Sequence, residues 1–182
     1  SREDVLRIAE AAREAECTLV IDEAFMDFCP DHSVMGHVQE NPYLIVLRSM
    51  TKFYAITGLR AGYGVFHPEV IRSINEFKEP WTVNTLAQKA ALDDAEYAEK
   101  TMDLIRKEKE FIENGLNELN IGFFPSAVNF YLLRTDDARR VTAEMRKKGV
   151  LVRDCSNFRG LGSGYLRIAV KDRTANEKLL KA

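Results

Sequence analysis

The sequence predicts an α/β unit over residues 1–79 followed by an α+β unit over residues 80–182. Two patterns carry this expectation. In the first part, apolar runs of strand length alternate with amphipathic stretches, as a mainly parallel sheet covered on both faces requires. After "KEPW" (78–81) the texture changes to a long region rich in Ala, Glu and Lys, and then to short strands interleaved with short helices. At 182 residues, 46% hydrophobic and 30% charged, the chain can bury a real core and lacks the composition of a disordered segment.

Taken in order, residues 3–15 place Val5, Leu6, Ile8, Ala9 and Ala12 at helical spacing. "CTLVID" (17–22) then reads as a buried strand, and a polar loop containing Pro30 follows. "YLIVLRSM" (43–50) is a second strand and "AGYGVF" (61–66) a third, before a helix that opens near Pro68, a residue suited to a first turn. Residues 84–119 are helical, with a break near Asp93 and Asp94. "VNFYLLR" (128–134) and "GVLVRD" (149–154) are strands flanking the helix "DARRVTAEMRKKG", whose Gly149 suits a C-cap. "GYLRIAV" (164–170) is a further strand, and "RTANEKLLKA" closes as a helix.

Composition excludes several functional classes. A net charge of -2 gives no electrostatic reason to expect nucleic acid or an anionic membrane as partner. No apolar run approaches the roughly 20 residues needed to span a bilayer. Cys17, Cys29 and Cys155 are widely spaced, odd in number and lack a CxxC pair, which predicts reduced thiols in a cytoplasmic protein. His32 and His37 offer no zinc-site spacing with them, so no metal site is expected. "GLRAGYG" is neither a Walker loop, since no lysine follows its second glycine, nor a dinucleotide fingerprint, since a strand follows it.

The chemistry concentrates at two strand ends. Asp22 closes "CTLVID", and the next strand delivers Ser49 and Lys52, so an acid, a hydroxyl and an amine share the edge where ligands of open α/β sheets collect. Alone, Asp22 could equally be a solvated loop carboxylate. A lysine of depressed pKa condenses with an aldehyde cofactor. Pyridoxal phosphate further needs an anion at its ring nitrogen, and hydroxyls with a cation around its phosphate. Lys52, Asp22, and Ser49 with Arg60 fill those roles, and Gly58 and Gly62 make the turn that aims Arg60.

"VIDEAF", "SMTKFYAITGLRAGYG" and "YLRIAV" resemble the fold-type I pyridoxal-phosphate enzymes, in the group with histidinol-phosphate aminotransferase. The Asp22-to-Lys52 spacing and the seven residues between Lys52 and Arg60 carry the likeness, which runs over the whole chain. Within that group, "DEAFMDF", "PWTVN" and "LVRDCSNFRGL" are most similar to the L-threonine-O-3-phosphate decarboxylases of cobalamin biosynthesis.

The resemblance implies pyridoxal 5'-phosphate as cofactor, Lys52 as catalytic residue, and Asp22, Ser49, Lys52 and Arg60 as cofactor-binding residues. It implies Arg153 and Arg167 as ligands for the acidic groups of a small phosphorylated amino acid, and a homodimer as the full-length enzyme. From its strand position, Arg153 could instead bridge to Asp154. Phe25 departs from the wider group, where a tyrosine at this place hydrogen-bonds the cofactor; it could also simply pack beside Phe28. Nearly half of the usual polypeptide of the family would precede Ser1. The expected architecture is therefore the C-terminal part of the large domain followed by the small domain, inactive alone. Two alternatives remain beside the decarboxylase: a histidinol-phosphate-type aminotransferase, and a non-catalytic unit that binds no cofactor.

Overall fold

A computed structural model describes residues 1–80, 82–92 and 95–182. Trp81 and the expected helix break at Asp93 and Asp94 lie outside the described residues. The chain forms two compact units, Ser1–Ala98 and Glu99–Ala182. That division lies within a helix, whereas the sequence boundary near Pro80 marks the change in composition ahead of it.

The first unit begins with α1 (Arg2–Glu14), capped by Ser1, whose hydroxyl and the Asp4 carboxylate satisfy each other's backbone N–H groups. Strand β1 (Leu19–Asp22) pairs in parallel with β2 (Leu44–Ser49), and β2 pairs antiparallel with β3 (Gly62–Val65), in the order β1-β2-β3. The mainly parallel expectation thus holds for one of two pairings. Between β2 and β3 the chain makes only the short helix α2 (Met50–Phe53) and a turn, without the covering helix of a parallel crossover, so it returns along the same edge.

The loop between β1 and β2 is a set of short 3-10 turns. It buries Phe28, Val34 and Val38, and the last two join Ala9, Leu44 and Val46 in the unit's core. Helix α3 (Pro68–Phe77) opens on its proline as expected, and α4 (Thr85–Leu92) ends the unit's regular structure ahead of α5 (Ala95–Glu118).

In the second unit β4 (Phe130–Arg134), β6 (Tyr165–Ala169) and β5 (Arg153–Asp154) form an antiparallel sheet in that order. Alternation along the strands sends Tyr131, Leu133, Leu166 and Ile168 to one face, where they pack with Ile112 and Leu116 of α5 and Ala138 of α6 (Ala138–Lys147). The expected strand "GVLVRD" pairs only over its last two residues. Gly149 adopts φ +72 just past the end of α6, the left-handed conformation a helix terminus favours.

The closing helix α7 (Arg173–Lys181) is tied to α5 by one buried carboxylate. Glu108 accepts from Arg173 Nε at 3.2 Å and from Asn176 Nδ2 at 2.9 Å, and Arg173 also lies 3.8 Å over the Phe111 ring. The Arg173 hydrogen bonds hold the Glu108 carboxyl below its ordinary range, against burial that raises it. Its contribution is present above the unfolded carboxyl pKa of about 4.3 and is lost as pH falls through the lower folded value. Glu108→Gln should lower Tm at pH 7 by about 4–8 °C, the effect of roughly 1 kcal/mol in a unit this small. It should also flatten the acid limb of Tm against pH, and an unchanged limb would show that Glu108 does not couple the two helices.

Candidate functional site

Parallel pairing sets Asp22 beside Leu47, so β1 and β2 end at one edge. Because side chains alternate, Val20, Asp22, Ile45, Leu47 and Ser49 share one face of the sheet. Leu19, Ile21, Leu44, Val46 and Arg48 share the other, which faces the core. The first face is open: Val20 is 52% and Leu47 40% exposed. Asp22 is exposed on it, with one carboxylate oxygen accepting from the Ala24 N–H at 2.9 Å.

Ser49 ends β2 and precedes α2, where Thr51 and Phe53 turn inward and Lys52 outward. Lys52 Nζ donates to Ser49 Oγ at 3.5 Å, and the Ser49 and Thr51 hydroxyls lie 2.8 Å apart. The amine also stands 5.2 Å from the centre of the Phe25 ring. Thr51 was not foreseen; the signal for it was a second hydroxyl immediately before the lysine. Lys52 and Arg60 form no ion pair among the described residues, so both charges are available to a ligand.

The glycines act otherwise than expected. Arg60 itself adopts φ +53, as does Ala55, while a Cβ on Gly58 would meet nothing within 4 Å. The left-handed bends are therefore carried by non-glycine residues, at a cost of order 1–2 kcal/mol each. Gly62 is needed for a different reason: a Cβ there would lie 2.7 Å from the Arg48 carbonyl oxygen, where β3 approaches β2.

Behind the edge lies a buried network. Glu23, only 1% exposed, accepts from Arg48 Nη1 at 3.0 Å, Ser33 Oγ at 2.7 Å and the Val34 N–H at 2.8 Å. Arg48 also donates to Asp27. Glu23 adjoins Asp22 and Arg48 adjoins Ser49, so this pair clamps the two strand ends that present the open-face residues. Sequence reasoning passed over both. The available signal was an arginine at a core-facing position of β2, which burial tolerates only beside a carboxylate.

In the second unit, Arg153 and Arg167 are direct cross-strand neighbours on the sheet face opposite the core. The Arg153–Asp154 bridge is absent: Asp154 accepts from the Ser156 N–H at 2.8 Å, a bond that holds its carboxyl below the usual range. Arg153 donates instead to Asn157 Oδ1 at 3.3 Å, and Arg167 sits 4.7 Å over the Phe130 ring. Neither has a carboxylate partner among the described residues. Like charges directly opposite in a sheet repel, which an incoming anion would relieve.

The donor set of the first unit fits an aldehyde-bearing phosphate ester of a protonated pyridine. It offers an amine, two hydroxyls and an exposed carboxylate, with Arg60, in no ion pair among the described residues, following in the turn before β3. Among the described residues no group of three or more His, Cys, Asp or Glu could hold a metal ion, and no helix is long and apolar enough to cross a membrane. None of Cys17, Cys29 and Cys155 forms a disulfide among the described residues.

The family of class I and II aminotransferases matches residues 1–182. A threonine-phosphate decarboxylase of Salmonella typhimurium is 36% identical over 185 residues, covering 96% of this chain and 50% of that protein. A histidinol-phosphate aminotransferase of Caldanaerobacter subterraneus is 34% identical over 183 residues, covering 99% and 51%. The crystal structure of the histidinol-phosphate aminotransferase from Clostridium acetobutylicum superposes with a TM-score of 0.92 at 32% identity, over 100% of this chain and 57% of that one. The chain thus spans about half the length of the curated relatives it matches.

The adjacent acids Asp22 and Glu23 should respond oppositely to substitution. Glu23→Ala leaves the buried Arg48 guanidinium with Asp27 as its remaining carboxylate and should cost about 1–3 kcal/mol in denaturant unfolding. Asp22→Asn, at an exposed position, should stay within about 0.5 kcal/mol. Comparable losses in both variants would remove the distinction between clamp and ligand.

Proposed function

The chain belongs to the aminotransferase class I and II family, and from that premise we propose that it supplies the lysine and the substrate arginines of a pyridoxal-phosphate-dependent decarboxylase acting on L-threonine O-3-phosphate. The observation that carries the reading is the Arg153–Arg167 pair, two guanidinium groups without a carboxylate partner among the described residues, which suit a substrate bearing both carboxylate and phosphate.

The residues divide the work. Lys52 would hold the cofactor through its aldehyde, and its amine, once free, would carry the proton that returns to Cα. Ser49, Thr51 and Arg60 hold the cofactor phosphate, and Asp22 keeps the ring nitrogen protonated. Bound pyridoxal phosphate supplies the sink for the electron pair released when the Cα–carboxylate bond breaks. Arg153 and Arg167 bind the substrate's acidic groups and so orient that bond. Phe25, beside Lys52, supports decarboxylation over transamination, because it offers no hydroxyl where aminotransferases of the wider group have one.

A second reading, transamination of histidinol phosphate, draws support from the Clostridium acetobutylicum superposition. It uses the same residues, with Lys52 removing a Cα proton. Products separate the two, since one reaction releases carbon dioxide and the other leaves a carbonyl compound. Activity is proposed for a protein extended to the relatives' length. These 182 residues leave Val20 and Leu47 uncovered beside Asp22, and should associate through that face and hold the cofactor weakly.

In the extended protein, borohydride should fix pyridoxal phosphate to Lys52, and peptide mapping that finds the adduct on another lysine would overturn the assignment. Threonine phosphate should release carbon dioxide faster than histidinol phosphate is transaminated; the reverse order would favour the second reading. Arg167→Ala should lose about 2–5 kcal/mol in kcat/KM, as truncating one partner of a buried charge pair does. Unchanged kinetics would make Arg167 structural.

A further inference from the structure

Asn84, the residue ahead of α4, bonds in two directions. Its Oδ1 accepts from the Ala87 N–H at 2.8 Å and so caps the helix. Its Nδ2 donates to the Leu59 carbonyl at 3.0 Å, 25 residues back along the chain. The two bonds fix the orientation of the amide, since only its oxygen accepts and only its nitrogen donates. Capping asks for an acceptor alone, which Ser, Thr or Asp supplies as well. The Leu59 bond asks for a donor in addition, and among the usual cap residues asparagine alone carries both on separate atoms.

Leu59 immediately precedes Arg60, whose φ of +53 is left-handed. The peptide plane between the two residues sets that angle, and the carbonyl held by Asn84 lies in the same plane. Other bonds restrain the rest of the turn: the Leu59 N–H donates to the Ile56 carbonyl at 3.0 Å, and the Met50 N–H to the Ala61 carbonyl at 3.2 Å. The Asn84 bond falls on the one peptide that a non-glycine residue would otherwise rotate to leave the left-handed region. Such a rotation swings the Arg60 Cβ, and the guanidinium with it, to a new direction.

We propose that Asn84 is a positioning residue for Arg60, holding its backbone in the conformation that aims the guanidinium at the cofactor's phosphate. This rests on the reading of Arg60 as a ligand of that phosphate. Asn84 acts through the Leu59 carbonyl, so its effect is confined to a cofactor that carries the phosphate.

The test titrates the cofactor-free protein, extended to the relatives' length, with pyridoxal phosphate and with pyridoxal, which keeps ring and aldehyde but lacks the phosphate. Asn84→Ser keeps a capping oxygen, but its hydroxyl stops one bond short of the position from which Nδ2 reaches Leu59. It should weaken pyridoxal phosphate binding about fivefold, the worth of one hydrogen bond, and leave pyridoxal unchanged. Asn84→Ala loses the cap as well, and should lower Tm where Asn84→Ser keeps the wild-type value. Arg60→Gln should weaken pyridoxal phosphate more than Asn84→Ser does. Adding Asn84→Ser to Arg60→Gln should then bring no further loss, because both act on one contact. Wild-type affinity in Asn84→Ser, an equal loss for pyridoxal, or additive losses in the double variant would overturn the positioning role and leave Arg60 as a ligand. Wild-type affinity for pyridoxal phosphate in Arg60→Gln would sink the reading of Arg60, and the role of Asn84 with it.

Discussion

Burying the Glu23 carboxylate against the Arg48 guanidinium is the constraint on which the first unit's site depends. Arg48 projects from β2 to the core face with Leu44 and Val46, where an unpaired charge would be prohibitive. Glu23 meets it from the residue after β1 and is itself satisfied by Ser33 and the Val34 backbone. The pair therefore fixes the loop between the strands as well as the strand ends. Asp22 and Ser49, one residue away on each strand, are turned to the opposite, open face by simple alternation. Positioning of this exposed edge is thus delegated to a buried ionic contact behind it.

The second unit handles its arginines differently. Arg134, Arg153 and Arg167 lie over the rings of Phe124, Phe158 and Phe130, at 5.0, 5.8 and 4.7 Å. An aromatic face restrains a guanidinium without consuming its N–H donors, whereas a carboxylate would take up both charge and donors. Arg48 is neutralised because it serves the fold. The three arginines of the sheet face keep their charge, which suits recognition of anions.

The turn between α2 and β3 joins these themes to backbone strain. Ala55 and Arg60 occupy left-handed conformations that non-glycine residues rarely adopt, and persist only where surrounding structure enforces them. Beyond them β3 closes against β2 so tightly that a Cβ on Gly62 would collide with the Arg48 carbonyl. Arg48 thus anchors the site twice, by its side chain to Glu23 and by its backbone to β3.

By itself the sequence determined most elements, because period and turn chemistry are local: the apolar runs of β1 and β2, the proline opening α3 and the glycine after α6 stand where patterning places them. It also located Asp22 at the end of β1, and Ser49 and Lys52 at and just beyond the end of β2, since these positions follow from the apolar runs. Only the tertiary structure decided which of Asp22 and Glu23 is buried, because two adjacent acids look alike until their strand has a register and a partner. It likewise decided that β3 runs antiparallel, that Arg60 bends its own backbone, and that Arg153 leaves Asp154 to a local turn. Each of these turns on contacts between segments distant in sequence or on backbone angles, and side-chain pattern along a single strand encodes neither.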